Sequence, residues 1–264
     1  MFIETGFTFD GYSNSTYNLK IVDVEQTGMK PRTFGVSRTI NKEKLKNNYR
    51  VVKTGIEEEV LTFSVTMALD HPTLATRQWT TANRMAIAKW LFVDDYKEFK
   101  SSDDMNVIYR CIPINAENFI NGLNEGYATL EFECDSAFVY KDHQSIVIAT
   151  SGNTIVNCDS NITHLYKYYP TIHLVYTGTS ASVSLTNTTT GETFALTSMT
   201  GLPSTDHIFA HGYKKQILTA NGMNVFNKWN KGWISLLEGE NTINVTTATN
   251  ISLIWFNVQY PIML

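Results

Sequence analysis

The stretch that decides the fold is Asp70–Phe92, DHPTLATRQWTTANRMAIAKWLF, the one long segment with a helical pattern. Its apolar residues recur at spacings of three and four, which places one stripe of them on a single side of a helix: Ala75, Trp79, Ala82, Ala86 and Trp90, with Ile87 and Leu91 widening the stripe. Asp70 offers an N-terminal acceptor and Pro72 suits a first turn, so we expect the helix to begin there. Most other segments alternate with period two. A lone amphipathic helix in such a chain covers one face or one open end of a sheet.

The composition is that of an ordinary globular protein without a strong charge preference. The 264 residues (29.9 kDa) are 43% hydrophobic and 17% charged, enough for one large or two smaller β domains. A net charge of −4 and a pI near 5.9 give no basic field for nucleic acid. No apolar run reaches the roughly 18 residues that would span a membrane. Three widely spaced cysteines argue against a disulfide framework and fit a reducing cytosol.

The segment with the most unusual local composition is 38–55, RTINKEKLKNNYRVVKTG, in which six basic residues stand against one acid. It has no helical stripe, so we interpret it as a long hairpin arm or an exposed loop. A solvated lysine-rich edge that blocks sheet-to-sheet pairing is one interpretation. The other is a contact with another subunit or with passing nucleic acid. The candidate contact residues are Lys42, Lys44, Lys46, Tyr49, Arg50 and Lys53.

The composition changes near residue 141, where we place a domain boundary. Charge thins out beyond it, and Ser, Thr, Asn and Gly surround short strands at spacings of eight to twelve residues. That spacing indicates a β-sandwich. We therefore predict a mainly β chain: residues 1–141 form an N-terminal β-sandwich with one packed helix and a projecting hairpin arm, and residues 142–264 form a second β-sandwich.

Motifs for catalysis, cofactors or metals are not found. There is no nucleophile elbow, phosphate-binding loop, dinucleotide fingerprint or Cys-x-x-Cys pair. His207 and His211 would stand roughly 13 Å apart on one strand face, too far to clamp one metal. We assign no catalytic, cofactor-binding or metal-binding residue. Trp229 and Trp233 are candidates for stacking on a sugar ring, with core packing as the alternative.

Several blocks follow one another in an order that one protein family shares. Residues 7–13 (FTFDGYS) and 19–24 (LKIVDV) form an opening strand pair, and residues 89–91 (KWL) end the helix. Residues 126–140, GYATLEFECDSAFVY, form a later strand. In the second half the blocks are 169–172 (YPTI), 187–191 (NTTTG) and 237–243 (LEGENTI). In this order they resemble the distal tail proteins (Dit) of siphophages that infect Gram-positive bacteria, and the later blocks resemble the galectin-like domain of those proteins.

The resemblance implies a structural virion protein at the distal end of the phage tail, assembled in the cytoplasm of the host bacterium, and not an enzyme. Family members form a six-fold ring from their N-terminal domains around an open channel. The implied partners are further copies of the chain, the tail tube protein, a tail-tip or tail-associated lysin protein and a receptor-binding protein. No membrane or cofactor is implied, and DNA would only pass through the channel.

The resemblance leaves more than one function for the galectin-like domain. It is either an adaptor that docks baseplate proteins or, alternatively, a carbohydrate-binding, lectin-like module that contacts cell-wall saccharides through Trp229 and Trp233. A β-sandwich hydrolase, a third class, would turn over wall polysaccharide.

Overall fold

The computed structural model describes residues 6–22, 36–44, 46, 51–70, 78–102, 104–162, 166–178, 180–201, 206–222 and 224–263. The chain divides into two compact units after Lys141, with residues 263–264 belonging to the first unit. The prediction of a mainly β chain with one packed helix and a hairpin arm is confirmed.

The first unit is built on one antiparallel sheet. Its elements are β1 (Phe7–Phe9), β2 (Tyr12–Ser13), a 3-10 turn (Asn14–Tyr17), β3 (Leu19–Ile21), β4 (Arg38–Lys44), β5 (Val51–Glu58), β6 (Thr62–Leu69), α1 (Thr81–Leu91), β7 (Lys97–Ser101), β8 (Asp104–Ile120), β9 (Gly126–Cys134) and β10 (Val139–Lys141). The strand order is β2-β1-β7-β8-β9-β6-β3, and β10 also pairs with β8. Strands β4 and β5 form a separate two-stranded sheet.

The helix α1 packs on one face of this sheet through three bulky side chains. Ile87, Trp90 and Leu91 are buried in the same cluster as the inward residues of β1, β7 and β9. The Trp90 ring stacks on Phe7 and on Tyr17, and its Nε1 donates to the Phe9 carbonyl at 3.0 Å. This contact joins the helix to the strand that opens the chain. In the described part of the chain, no helix has the length and apolar character needed to cross a membrane.

The predicted start of the helix is wrong, and its predicted stripe is confirmed only in part. The helix begins at Thr81, because the Thr80 side chain accepts a hydrogen bond from the Asn83 N–H and acts as the N-cap. Trp90, Ile87 and Leu91 of the predicted stripe are buried, whereas Ala82 and Ala86 are exposed, so the helix contacts the sheet through the flank of the stripe that carries its bulky side chains.

The other residues of the predicted helix have different environments. Trp79 is buried but precedes the helix, where its Nε1 donates to the Gly126 carbonyl at 3.1 Å. Asp70 does not cap α1, which begins at Thr81, and pairs with Lys20 at 3.0 Å. Pro72 and Ala75 lie outside the described residues.

The second unit is a sandwich of two antiparallel sheets. Its elements are β11 (Gln144–Ile148), β12 (Gly152–Cys158), β13 (Thr171–Tyr176), β14 (Ser180–Asn187), β15 (Glu192–Thr200), β16 (His207–His211), β17 (Gln216–Thr219), a 3-10 turn (Phe226–Lys228), β18 (Gly239–Thr249), β19 (Ile251–Val258) and β20 (Pro261–Ile262). One sheet has the order β11-β19-β13-β16-β17 and the other β12-β18-β14-β15. Buried side chains of both sheets form one core, among them Leu174 and Phe256 from the first and Leu185 and Phe194 from the second. The prediction that this sandwich is galectin-like stays a prediction.

Candidate functional site

The two-stranded sheet formed by β4 and β5, which we call the ribbon, is open to solvent on both faces. Every residue of β4 is exposed, and β5 has only two half-buried positions. The two strands pair from Arg38 opposite Glu58 to Lys44 opposite Val51, with a bulge next to Asn41. Large apolar side chains are left in water, including Ile40 at 49% and Val51 at 56% of their full exposure.

One face of the ribbon is basic. Residues that lie opposite each other in an antiparallel pair share a face, and residues two apart along a strand share it too. This face carries Arg38, Ile40, Lys42, Lys44, Val51, Lys53, Ile56 and Glu58. Its one acid, Glu58, pairs with Arg38 at 3.0 Å. Lys42 lies directly opposite Lys53, and like charges in that position destabilise a strand pair.

The other face of the ribbon is acidic. It carries Glu43 and Glu57, and the Asn41 amide donates to Glu57 Oε1 at 2.7 Å. The ribbon therefore presents a cationic, partly apolar surface on one side and an anionic surface on the other.

The structure brings together three of the six residues predicted for the arm. Lys42, Lys44 and Lys53 share the basic face, and Lys46 is exposed in the turn beyond β4. Tyr49 and Arg50 lie outside the described residues.

The two tryptophans proposed for sugar stacking lie in the loop before β18 and contact each other. Trp229 and Trp233 are half-buried against the core, edge to face, with ring centroids 4.8 Å apart. The Trp229 Nε1 donates to the Gly232 carbonyl at 2.8 Å. Two ammonium groups stand near the same rings: Lys231 Nζ and Lys215 Nζ each lie 5.2 Å from one indole centroid. Much of each ring is thus already in contact with the protein, and saccharide stacking here stays a prediction.

An aromatic row that the sequence analysis did not single out crosses the outward face of the sheet β11-β19-β13-β16-β17. Its members pair across adjacent strands: Val147, Trp255, His173, Phe209 and Leu218. The His173 ring stacks on Phe209 with centroids 4.2 Å apart and contacts the Trp255 ring at a tilt, with centroids 4.1 Å apart. His173 Nε2 and His207 Nδ1 are 2.8 Å apart and share a hydrogen bond.

The sequence contains a weak signal for this row. The segments TIHLV at 171–175 and HIFAH at 207–211 place His or aromatic residues at alternate positions, which a two-sided sheet turns outward. The pairing of these positions joins strands far apart in the chain, so spacing along the sequence does not show that they meet.

The thiols and acids of the described residues do not form a reactive centre. Cys111 and Cys134 are buried opposite each other on β8 and β9, and burial raises the pKa of the Cys134 thiol to about 12. Burial raises the pKa of Cys111 further, so neither supplies a thiolate nucleophile. Among the residues that the structure describes, no group of three or more His, Cys, Asp or Glu is placed to hold a metal ion.

Comparison with known proteins gives one family match and a partial match to a curated relative. A family model described as a phage tail protein N-terminal domain matches residues 2–136. The SPbeta prophage-derived uncharacterized protein YomH of Bacillus subtilis (strain 168) is 31% identical over 132 residues. That match covers 48% of this chain and 47% of YomH, so the chain spans about half the length of this relative.

Solved structures share the fold of the whole chain at low sequence identity. The SPP1 Dit (gp 19.1) protein, titled a paradigm of the hub adsorption apparatus in phages infecting Gram-positive bacteria, aligns with a TM-score of 0.64 and 17% identity over 97% of this chain and 98% of its own. A chain of the phage P2 baseplate in its activated conformation aligns with a TM-score of 0.57 and 8% identity, over 97% of each chain.

Proposed function

We propose, from the premise that the chain belongs to the phage tail protein family, that it is the distal tail protein of its virion and closes into a ring of six copies. Membership of the family makes it a structural component of the phage tail. The fold that it shares with the SPP1 Dit protein supports the more specific assignment, to a phage that infects a Gram-positive bacterium.

The ribbon is the main observation that supports assembly of several copies. A two-stranded sheet by itself is at best marginally stable in water, and this one also places Lys42 opposite Lys53. When a partner of opposite charge covers the basic face, burial of its apolar side chains and pairing of its lysines both favour the contact. We infer that the basic face of the ribbon is covered in the assembled tail by a neighbouring copy.

A ring built from identical copies needs two different patches on each copy. Such heterologous contacts close into a ring when the rotation between neighbouring copies is a whole-number fraction of a full turn. The ribbon would supply one patch and an acidic, partly apolar surface of the next copy the other. A closed ring leaves a central opening through which DNA passes in transit.

The remaining partners are proposed from the same assignment. One side of the ring would meet the tail tube protein and the other a tail-tip or tail-associated lysin protein. The second unit would act as a peripheral adaptor for a receptor-binding protein. We propose no catalytic role for the chain.

The experiment is a measurement of assembled mass. Native mass spectrometry of the wild-type protein should give a hexamer. A variant with Lys42→Glu, Lys44→Glu and Lys53→Glu should give monomers, because it reverses the charge of the basic face. A matched control with Lys89→Glu, Lys214→Glu and Lys228→Glu changes the net charge equally at exposed sites outside the ribbon and should keep the wild-type mass.

Folding and assembly are separable in this experiment, since no residue of β4 or β5 belongs to the buried core. Circular dichroism should therefore show an unchanged fold in the monomeric variant, and its melting temperature should fall only by the stabilisation that the ring contacts give the wild type. A ring of unchanged mass in the ribbon variant would remove the ribbon from the interface. A wild-type protein that stays monomeric with the tail tube protein present would contradict the ring itself.

A further inference from the structure

The outward face of the sheet β11-β19-β13-β16-β17 carries two parallel rows of side chains. The first is the aromatic row defined above, and its two ends are the most open: Val147 is 63% and Leu218 44% exposed. The second, which we call the polar row, also crosses all five strands in register. Its members are Ser145, Asn257, Thr171, His211 and Gln216.

The two rows differ in chemistry but are both uncharged. No Asp, Glu, Lys or Arg occupies a position in either row. Burial and the neighbouring Lys214 lower the pKa of His211, and burial and His207 lower the pKa of His173. Both imidazoles are therefore neutral near pH 7. The solvent-facing side of an antiparallel sheet ordinarily carries polar and charged residues, so an apolar row in this position marks a binding surface.

The polar row consists only of groups that can both donate and accept hydrogen bonds. Hydroxyl, carboxamide and imidazole side chains all have this property, whereas carboxylates only accept and ammonium groups only donate. A sugar hydroxyl is also both a donor and an acceptor. An anionic polymer would need Lys or Arg at these positions, which the rows do not contain.

The spacing of the rows fits a linear ligand that is apolar along one side and carries hydroxyl groups along the other. The rows lie two residues apart along each strand, or about 7 Å, and four inter-strand steps give each row a length of about 19 Å. A linear chain of sugar rings laid across the strands would set its C–H groups on the aromatic row and its hydroxyl groups on the polar row.

We propose that this face binds a neutral, linear saccharide of several rings, with Trp255 and Phe209 contacting its C–H groups and Asn257 and Gln216 its hydroxyls. The proposal goes beyond the ring and does not depend on it. It also places saccharide binding on the sheet and not at Trp229 and Trp233.

The surface is held in place before any ligand arrives. Ser145 Oγ donates to Asn257 Oδ1 at 2.9 Å, and Thr171 Oγ1 lies 3.3 Å from His211 Nδ1. The packed rings of Trp255, His173 and Phe209 fix the aromatic row in the same way. Because these side chains are already ordered, binding loses little further rotamer freedom.

The test begins with binding of the full-length protein to an array of neutral linear glucose, galactose and N-acetylglucosamine chains of increasing length. Isothermal titration with the best ligand then gives the affinity. We expect affinity to rise with chain length until the ligand spans the five strands and then to level off. Polyglycerol phosphate, an anionic probe, should not compete.

Variants then locate the site. Asn257→Ala and Gln216→Ala remove one polar contact each from exposed or half-buried positions and should weaken binding by about threefold to tenfold, the cost of one hydrogen bond. Trp255→Leu should weaken it further. The controls are Asn153→Ala on the opposite sheet and Trp233→Ala in the loop, and both should bind as the wild type does.

Three results would overturn the proposal. One is a flat titration of the wild-type protein with every neutral chain, and another is unchanged affinity in both Asn257→Ala and Gln216→Ala. The third is competition by polyglycerol phosphate, which would reject the neutral class of ligand.

Discussion

At the scale of single residues, Asn241 shows how a buried amide holds a loop of the second unit in place. Its Oδ1 accepts hydrogen bonds from the Leu237 N–H and the Asn187 amide, and its Nδ2 donates to the carbonyls of Leu237 and Gly239. Fully buried, it makes all the bonds that its side chain allows.

We expect Asn241→Ala to lower the free energy of unfolding by about 3 kcal/mol, because it removes hydrogen bonds to half-buried backbone groups of Leu237 and Gly239 and to the buried Asn187 amide. Chemical denaturation measures the change. Asn244→Ala is the matched control, since Asn244 lies three residues further along β18 and its amide reaches only the Asn153 side chain. If Asn241→Ala lowered the free energy of unfolding no more than Asn244→Ala does, the role of Asn241 in holding the loop would be contradicted.

A second residue, His173, ties the stability of the protein to pH. Burial and the neighbouring His207 hold the pKa of His173 below its ordinary value of 6.5. The unfolded chain therefore binds a proton at His173 more readily than the folded chain does. The stability that the neutral His173 contributes is complete above the unfolded-state pKa and is lost as the pH falls below it.

Melting temperatures between about pH 7.5 and pH 5.5, where histidine titrates, test this. The wild-type protein should lose stability on acidification, and His173→Gln should reduce the slope. His211 has a lowered pKa as well, so the double variant His173→Gln, His211→Gln should flatten the curve more. Equal slopes in the wild type and the double variant would exclude the histidines as the cause.

At the scale of elements, the helix shows what the sequence predicts well and what it does not. Its existence and its packing on a sheet follow from the apolar spacing, but its start was placed eleven residues too early. From the sequence, Asp70 is expected to be the N-terminal acceptor, whereas the structure has the N-cap at Thr80, directly after Trp79, which is bonded to the Gly126 carbonyl. The buried side of the helix is the one that carries the bulky side chains Ile87, Trp90 and Leu91, and not the one that carries Ala82 and Ala86.

The cap at Thr80 gives a prediction at this scale. Thr80→Ala should destabilise the first unit by about 1 kcal/mol, because the Asn83 N–H loses its acceptor. Thr81→Ala, at the first helical position, should be neutral or slightly stabilising, since Ala has the higher helix propensity. Thermal unfolding of both variants is the measurement, and equal losses would show that Thr80 is not the cap.

The ribbon and the aromatic row mark the limit of prediction from sequence. The basic composition of 38–55 predicted an arm, but the two faces of opposite charge follow from strand register and a bulge, which composition does not encode. The aromatic row needs the register of strands β19, β13 and β16, which are separated in sequence by long segments. Local patterns specify elements, whereas sites that join distant elements require the fold.

At the scale of the whole molecule, the ribbon and the outward sheet face lie in different units and have different chemistry. One is charged and would bind a further copy of the chain, and the other is uncharged and would bind saccharide. Because substitutions at sites without shared partners usually act independently, assembly and saccharide binding should be separable in the full-length protein.

We predict that each of two variants loses one function and keeps the other. The variant with Lys42→Glu, Lys44→Glu and Lys53→Glu should lose the hexamer mass while each monomer binds the neutral saccharide with unchanged affinity per chain. The variant with Asn257→Ala and Gln216→Ala should keep the hexamer mass and lose about tenfold or more in affinity per chain. Binding to a surface coated with many copies of the ligand should also weaken in the ribbon variant, since a ring presents several sites at once and multivalency raises avidity. A ribbon variant that loses affinity per chain in solution would show that the saccharide site requires the ring.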